Sequence, residues 1–396
     1  MDRINFFPDD LDVQNKKIIL RLDLNVPIKE KVIKDYTRID LCLPFIKELV
    51  QKKAKIIIIS HLGRPKANKD PTLSLMPIYK YLKKILQTNI YFFMGKFDDE
   101  VKDKFSHLKE GEVILVENIR YFKEETEDDD NFSKKLASLG DIYINDAFSC
   151  SHRRQASVHK ITKYVNISFA GPLFKREIDA INLVIKNQKE PVTCIIGGSK
   201  ISTKINVITS LIEKINNLII VGAMANNFLV YKNFKVGKSL VENDTKEIIE
   251  KIYKKSKENN CEIMIPEDCM VGTSFEGKGE NKDLDKIQDD EIILDIGANT
   301  IKTIKKKIEQ SNTVLWNGPA GYFENENFAN GTRSIAKSIS KNTLERSLIS
   351  VLGGGDTLAA INENKNELSF SHLSTAGGAF LEYLEGKDLP GLSVLK

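Results

Sequence analysis

The sequence predicts an α/β fold made of two doubly wound, Rossmann-like parallel-sheet lobes joined by a hinge helix, on three observations. Near-continuous apolar, β-branched runs alternate with segments of helical spacing along most of the chain. The residues that follow those runs change character midway, from charged side chains to glycines. Between the halves, "FAGPLFKREIDAINLVIKNQKEP" (169–191) reads as a Gly-Pro turn, one long helix and an exit at Pro191. Apolar strands alternating with helices indicate parallel sheets covered on both faces. In such sheets ligands bind beyond the carboxyl ends of the strands. The expected divisions are residues 1–170, a hinge helix over 171–190, a second lobe over 191–380 and a C-terminal segment over 381–396.

Composition narrows the function classes. Hydrophobic residues make up 41% and charged residues 29% of 396, enough for large cores in a soluble chain. Net charge is 59 − 55 = +4, too small to argue for nucleic acid. Cys42, Cys150, Cys194, Cys261 and Cys269 form no CxxC pair, and no zinc signature appears. Free thiols in a reducing cytoplasm are the expectation. No apolar run approaches the ~18 residues of a membrane span, and the first residues lack a signal-peptide core.

In the first half the expected strands are "KKIILRLDLNV", "AKIIIISHLG", "GEVILVENIR" and "GDIYINDAF", with "RIDLCLPFIKELVQKK" as a helix. Asp23 and Asn25 follow the first strand, and Arg38 lies on the loop beyond it. His61 and Arg64 follow the second, Arg120 the third, and His152, Arg153 and Arg154 the fourth. One Arg after a strand is ordinary solvated surface. Four strands bringing Arg or His to one edge suit a phosphate or carboxylate, which guanidinium groups grip in bidentate fashion. Asp23 and Asn25 among them suit a hydroxyl-bearing ligand.

In the second half the expected strands are "PVTCIIGGS", "NNLIIVGAM", "CEIMIPED", "NTVLWNGPAG" and "SLISVLGGGD", with "KINVITSLIEKI" as a helix. The strand ends read Gly197–Lys200, Val221–Ala225, Asn317–Gly321 and Gly353–Thr357, followed by "STAGGAF" at Ser374–Phe380. Glycine turns at helix N-termini offer backbone N–H groups to anions. One such turn is weak evidence, but four or five on one sheet edge indicate nucleotide phosphates. Asp356 would repel a bare phosphate and makes sense with a divalent cation between them; the alternative is a helix cap. Lys200 and Lys204, four apart, are expected on one face at the start of a helix. The P-loop pattern is absent, because "GKS" at Gly237–Ser239 has Lys232 where the first glycine belongs. No G-x-G-x-x-G occurs either. Two anionic substrates on opposite lobes, brought together by closure, would be phosphoryl transfer.

The residues resemble one family closely, the phosphoglycerate kinases, over nearly the whole chain. The matching stretches are "RLDLNVP", "TRI", "SHLGRP", "ENIRYF", "NDAFSCSHRRQAS", "GGSKISTK", "LWNGPAGYFE", "GGGDT" and "HLSTAGGAFLEYLEGKDLPGL". Together, their order and spacing are highly specific. The resemblance implies reversible transfer between 1,3-bisphosphoglycerate and Mg-ADP, giving 3-phosphoglycerate and ATP, by in-line attack on lobe closure. It implies that Asp23, Asn25, Arg38, His61, Arg64, Arg120 and Arg153 hold the phosphoglycerate. It implies nucleotide contacts at Gly197, Gly198, Lys204, Gly222, Asn317, Pro319, Glu324, Gly354, Gly355, Asp356 and Thr357, with Glu324 at the ribose and Asp356 meeting Mg²⁺. Arg38, Lys200, Gly355 and Gly378 match groups around the transferred phosphoryl. A monomer is implied, and the final "LPGLSVLK" is expected to pack back on the first lobe. The alternative is a catalytically impaired nucleotide-binding relative. The chain departs from the family pattern at Val221-Gly222-Ala223, at Ala376 and at Ala298. The side chains of Val221 and Ala223 are expected to narrow the base slot.

Overall fold

The computed structural model describes residues 4–65, 70–97, 101–362 and 367–396. The chain forms two compact units, Met1–Ile178 with Asp388–Lys396, and Asp179–Lys387.

The strands of unit 1 are β1 (Lys17–Arg21), a short hairpin of β2 (Ile28–Lys29) and β3 (Val32–Ile33), β4 (Lys55–Ile59), β5 (Ile90–Phe93), β6 (Val113–Val116), β7 (Ile142–Asn145) and β8 (Ile167–Ala170). Its helices are α1 (Thr37–Gln51), α2 (Met76–Ile85), α3 (Val101–Ser106), α4 (Lys123–Thr126) and α5 (Asp130–Ala137). Helix α6 (Pro172–Ile185) carries the chain out of the unit. Six strands form one parallel sheet in the order β5-β6-β4-β1-β7-β8. The sequence "IIII" of β4 and "VILV" of β6 is buried throughout, as a strand covered on both faces requires. On one face α1 and α2 bury Phe45, Ile46, Leu49, Ile78 and Leu82 against Ile18, Leu20, Ile56 and Ile58.

Unit 2 contains β9 (Val192–Ile196), β10 (Asn217–Ile220), β11 (Glu262–Met264), β12 (Asp268–Gly272), β13 (Glu280–Asp283), β14 (Ile292–Ile296), β15 (Thr313–Asn317), β16 (Ile349–Gly353) and β17 (His372–Ser374). Its helices are α7 (Ile205–Ile212), α8 (Ala225–Tyr231), α9 (Lys246–Glu258), α10 (Ala298–Glu309), α11 (Asn330–Arg346), α12 (Gly355–Asn362) and α13 (Gly378–Leu384), and α14 (Pro390–Ser393) lies in the segment that belongs to unit 1. The main sheet is parallel, ordered β11-β10-β9-β15-β16-β17. A second, antiparallel sheet of β13-β12-β14 was not foreseen. β13 reads "ENKD" and is mostly exposed, so no apolar pattern announces it.

Both sheets reverse strand order about a central strand. In unit 1, β1 lies between β4 and β7. In unit 2, β9 lies between β10 and β15. Crossovers leave such a strand in opposite directions, which opens a crevice at its carboxyl end. Within unit 1 the residues after β1, β4 and β7 therefore converge, and within unit 2 those after β9, β10 and β15 do.

Candidate functional site

Unit 1 gathers its charged residues into one bonded cluster. Asp23 accepts from Arg38 Nη1 at 2.8 Å, from the backbone N–H of Asn25 at 3.0 Å and from the Ser149 hydroxyl. Arg38 Nη1 also donates to the Asn25 carbonyl at 3.0 Å. Asn25 Oδ1 in turn accepts from the Gly63 N–H at 2.9 Å, which ties the loop after β1 to that after β4. Burial alone would raise the Asp23 carboxyl, but the Arg38 guanidinium and the hydrogen bonds from Ser149 and Asn25 outweigh it and hold it below its ordinary range. Arg120 donates to the Gly63 carbonyl at 2.7 Å and to Gln155 Oε1 at 3.4 Å. Its own burial draws its guanidinium down to about 10, still cationic. Burial and the neighbouring Arg21 push the His61 imidazole well below its usual value, with Arg120 and Arg153 acting the same way. Arg153 is half-buried and donates from Nε to His152 Nε2 at 3.1 Å, while Arg64 and Arg154 are exposed.

Arg21, Ser149 and Glu125 also belong to this cluster, although the sequence reading passed over them. Arg21 carried a signal. It is a charge at the end of the apolar strand "KIILR", where both faces should be buried, and it is 0% exposed.

Unit 2 brings its glycine turns together. The Gly197 N–H donates to the Asn317 carbonyl at 2.8 Å, the Gly222 N–H to the Ala320 carbonyl at 3.1 Å and the Met224 N–H to the Gly198 carbonyl at 2.9 Å. Gly222 is required twice over. Its φ is +68°, and a Cβ would lie 2.9 Å from Gly198 N and 3.0 Å from the Pro319 carbonyl oxygen. Gly354, at φ +100°, would place a Cβ 2.7 Å from Asn317 Nδ2. Side chains fasten the turns from behind. Lys204 donates to the Gly197 carbonyl at 2.5 Å and to Asn317 Oδ1 at 2.8 Å, and Asn317 Nδ2 donates to the Gly353 carbonyl at 2.8 Å. Thr357 Oγ1 accepts from the Gly318 N–H at 2.7 Å and donates to the Gly353 carbonyl at 2.9 Å.

The turns border a cavity of about 490 Å³, lined by Gly198, Gly222, Pro319, Glu324 and Asp356 among others. Phe275, Leu240 and Tyr322 line it too, and all three are partly exposed large apolar side chains. The rings of Phe275 and Tyr322 meet edge-on, with centroids 5.1 Å apart. Such faces suit a flat aromatic base. Phe275 was missed because no strand-end rule points to the segment "TSFEG".

Three expectations need correction. Arg38 lies not on a loop but in the first turn of α1. Lys200 and Lys204 do not share a helix face, since α7 begins at Ile205. Lys200 lies on the preceding turn and is exposed, whereas Lys204 is largely enclosed by its two oxygen partners. Burial lowers its ammonium to about 8, against the opposing pull of Asp356. Val221 does not narrow the cavity either. It is fully buried in the core with Ile195, Ile219 and Trp316, and only Ala223 of the two faces the space. Gly355 and Gly378 are the exposed first residues of α12 and α13.

Fold and strand ends define a class: a two-unit α/β protein with one cation-rich and one glycine-rich parallel-sheet edge. Comparison with known proteins narrows it. The family model described as phosphoglycerate kinase matches residues 8–387. A phosphoglycerate kinase of Wolbachia pipientis wMel is 43% identical over 390 residues, covering 98% of both chains. The solved structure of phosphoglycerate kinase from Coxiella burnetii superposes with a TM-score of 0.87 at 37% identity, covering 98% of this chain and 97% of that one. That of phosphoglycerate kinase from Pyrococcus horikoshii OT3 gives 0.81 at 28% identity, covering 98% of each. The chain belongs to the phosphoglycerate kinase family. It is a kinase of glycolysis that catalyses reversible phosphoryl transfer between 1,3-bisphosphoglycerate and ADP, giving 3-phosphoglycerate and ATP. Its substrates are small molecules, and the alternative of an impaired relative gains no support. Among the described residues no helix is long and apolar enough to cross a membrane.

Proposed function

We propose that the cation-rich edge of unit 1 holds the phosphoglycerate and the glycine-lined cavity of unit 2 holds the nucleotide. The observation that carries this is the contrast between the two edges. Arg38, Arg64, Arg120 and Arg153, with neutral His61, supply charge and donors for a phosphate and a carboxylate. Asp23 and Asn25 serve the hydroxyl. Backbone N–H groups at Gly198, Gly354 and Gly355, on turns that include Gly197 and with Lys204 and Thr357 behind them, suit a chain of phosphates. Gly222, Ala223 and the Phe275 face suit the base, with Asn317, Pro319 and Glu324 toward the sugar and phosphates.

Among the described residues no three His, Cys, Asp or Glu side chains cluster as a metal site. Asp356 is exposed and lines the cavity, as do Glu324 and the buried Asp295. The Asp356 carboxylate would hold Mg²⁺ that arrives with the nucleotide, so that the substrate would be Mg-ATP or Mg-ADP and the ion would neutralise phosphate charge.

The chemistry needs no general base, because a carboxylate is already ionised at neutral pH. The 3-phosphoglycerate carboxylate oxygen attacks the γ-phosphorus in line, the new O–P bond forms, and the bond to the ADP oxygen breaks. Charge on three equatorial oxygens is met by Arg38, Lys200 and the amides of Gly355 and Gly378. Every group named comes from one chain, and a cytoplasmic monomer is the proposed working form.

Calorimetric titration of each substrate separately tests the assignment. Arg120→Ala and Arg64→Ala are expected to weaken 3-phosphoglycerate at least tenfold, about 1.4 kcal/mol, and leave Mg-ADP unchanged. Asp356→Asn is expected to do the reverse. If Arg120→Ala lowered ADP affinity equally, the division between the two edges would be wrong.

A further inference from the structure

The mechanism leaves one buried polar chain of unit 1 unused. Glu125, on α4, is 0% exposed, and both its carboxylate oxygens accept from one residue. Ser157 donates its backbone N–H to Oε2 at 2.8 Å and its hydroxyl to Oε1 at 2.7 Å. With its proton committed to Glu125, the Ser157 oxygen accepts from Arg21 Nε at 2.9 Å. The Arg21 guanidinium also donates to the Leu22 carbonyl, and its Nη2 lies 3.2 Å from His61 Nδ1. A guanidinium has donors and no acceptor, so Nδ1 must offer its lone pair and the ring proton sits on Nε2. The Cys150 thiol lies 3.9 Å from the same Nδ1 and 3.8 Å from Arg21 Nη2. Each link fixes the direction of the next, from an acceptor-only carboxylate to a donor-only guanidinium.

We propose that Glu125, Ser157 and Arg21 act as positioning residues that hold His61 as the neutral, Nε2-protonated tautomer, so that the ligand at this edge meets a fixed N–H donor and not a fifth cation. The proposal rests on the reading that this edge holds phosphoglycerate. Four arginines already bring charge that does not titrate. A neutral donor adds direction toward a hydroxyl or carboxylate oxygen without changing charge across the physiological range. The groups facing His61 agree. Arg21 from β1, Arg120 from the turn after β6 and Arg153 from the loop after β7 oppose protonation, and Asp23 alone favours it. Glu125 balances the buried charge of Arg21 and is itself raised by burial, against the pull of Arg21 and Ser157. A glutamine there cannot accept twice. One of its two positions becomes a donor aimed at a Ser157 group that also donates or must turn its proton toward Arg21.

The test is nitrogen NMR of the full chain labelled with ¹⁵N-imidazole histidine, without ligand, between about pH 5 and 8. His61→Gln assigns the signal among the five histidines. The expected wild-type result is an unprotonated Nδ1 and a protonated Nε2 that do not titrate in this range. Glu125→Gln and Ser157→Ala are expected to mix the tautomers or bring titration into range. They should raise KM for 3-phosphoglycerate several-fold, with KM for ATP unchanged. A cationic or Nδ1-protonated His61 in the wild type at neutral pH overturns the proposal, whatever the variants do. Variants that leave both tautomer and KM unchanged overturn the role of Glu125 and Ser157. If 3-phosphoglycerate leaves the His61 signals unmoved while the tautomer is as expected, the ligand assignment of this edge fails and the polar chain stands.

Discussion

At Lys204 the structure sets an unusual condition on a single side chain. Its ammonium is enclosed, its hydrogen-bond partners, the Gly197 carbonyl and Asn317 Oδ1, are neutral oxygens, and burial lowers it to about 8. A lysine whose folded value is depressed carries its charge below that value and loses it above. Affinity for ADP is therefore expected to fall as pH rises through about 8, and to recover in Lys204→Arg, whose charge persists. Titrations showing flat ADP affinity from pH 7 to about 9 would remove Lys204 from phosphate binding. A second contrast separates neighbours in one turn. Val221→Ala deletes methyl groups from a filled core and is expected to cost about 2 kcal/mol of unit 2 stability, with no change in the preference for ATP over GTP. Ala223→Gly is expected to change nucleotide selectivity and spare stability. Fluorescence of Trp316, the only tryptophan, reads unit 2 unfolding for both. A selectivity change in Val221→Ala and none in Ala223→Gly would reverse the assignment.

At the scale of elements, helix α10 shows how a strand can do a cap's work. Its N-cap is Gly297, which has no side chain to accept the first N–H groups. Asp268, on β12, accepts instead from Asn299 N at 3.0 Å, Thr300 N at 2.8 Å and Thr300 Oγ1 at 2.7 Å. Asp268→Ala would strand these donors in a buried place. The expected cost is about 1–3 kcal/mol, seen as a lower urea midpoint by Trp316 fluorescence. An unchanged midpoint would mean that water replaces the carboxylate. This pairing also shows the limit of reading elements from sequence. Strands such as β4 and β15 were legible because their burial on both faces demands unbroken apolar runs. β13 was not, since its pairing depends on β12 and on nothing in "ENKD". The charged strand ends were legible for the same reason that β4 was, because the run stops where the chemistry starts. Glu125 and Ser157 were not, because they reach the site through contacts distant in sequence with Arg21.

At the scale of the whole molecule, the chain leaves unit 1 along α6, builds unit 2, and returns at Asp388. The returning segment is bound by the Asn5 N–H on the Leu395 carbonyl at 2.7 Å and by the Gly391 N–H on the Ser151 carbonyl at 2.8 Å. Leu389, Leu392 and Leu395 are all buried, each contributing roughly 1.5–3 kcal/mol. Deleting 388–396 is expected to weaken 3-phosphoglycerate and leave the Trp316 unfolding transition in place. A truncated chain with unchanged 3-phosphoglycerate affinity would show that the segment is dispensable to unit 1. The ribosome gives this arrangement an order in time. Residues 388–396 are made only after all of 179–387, so unit 1 waits the whole length of unit 2 for three leucines and two backbone bonds. Until they arrive, the apolar surface beside Ser151 that Leu389, Leu392 and Leu395 cover stays bare.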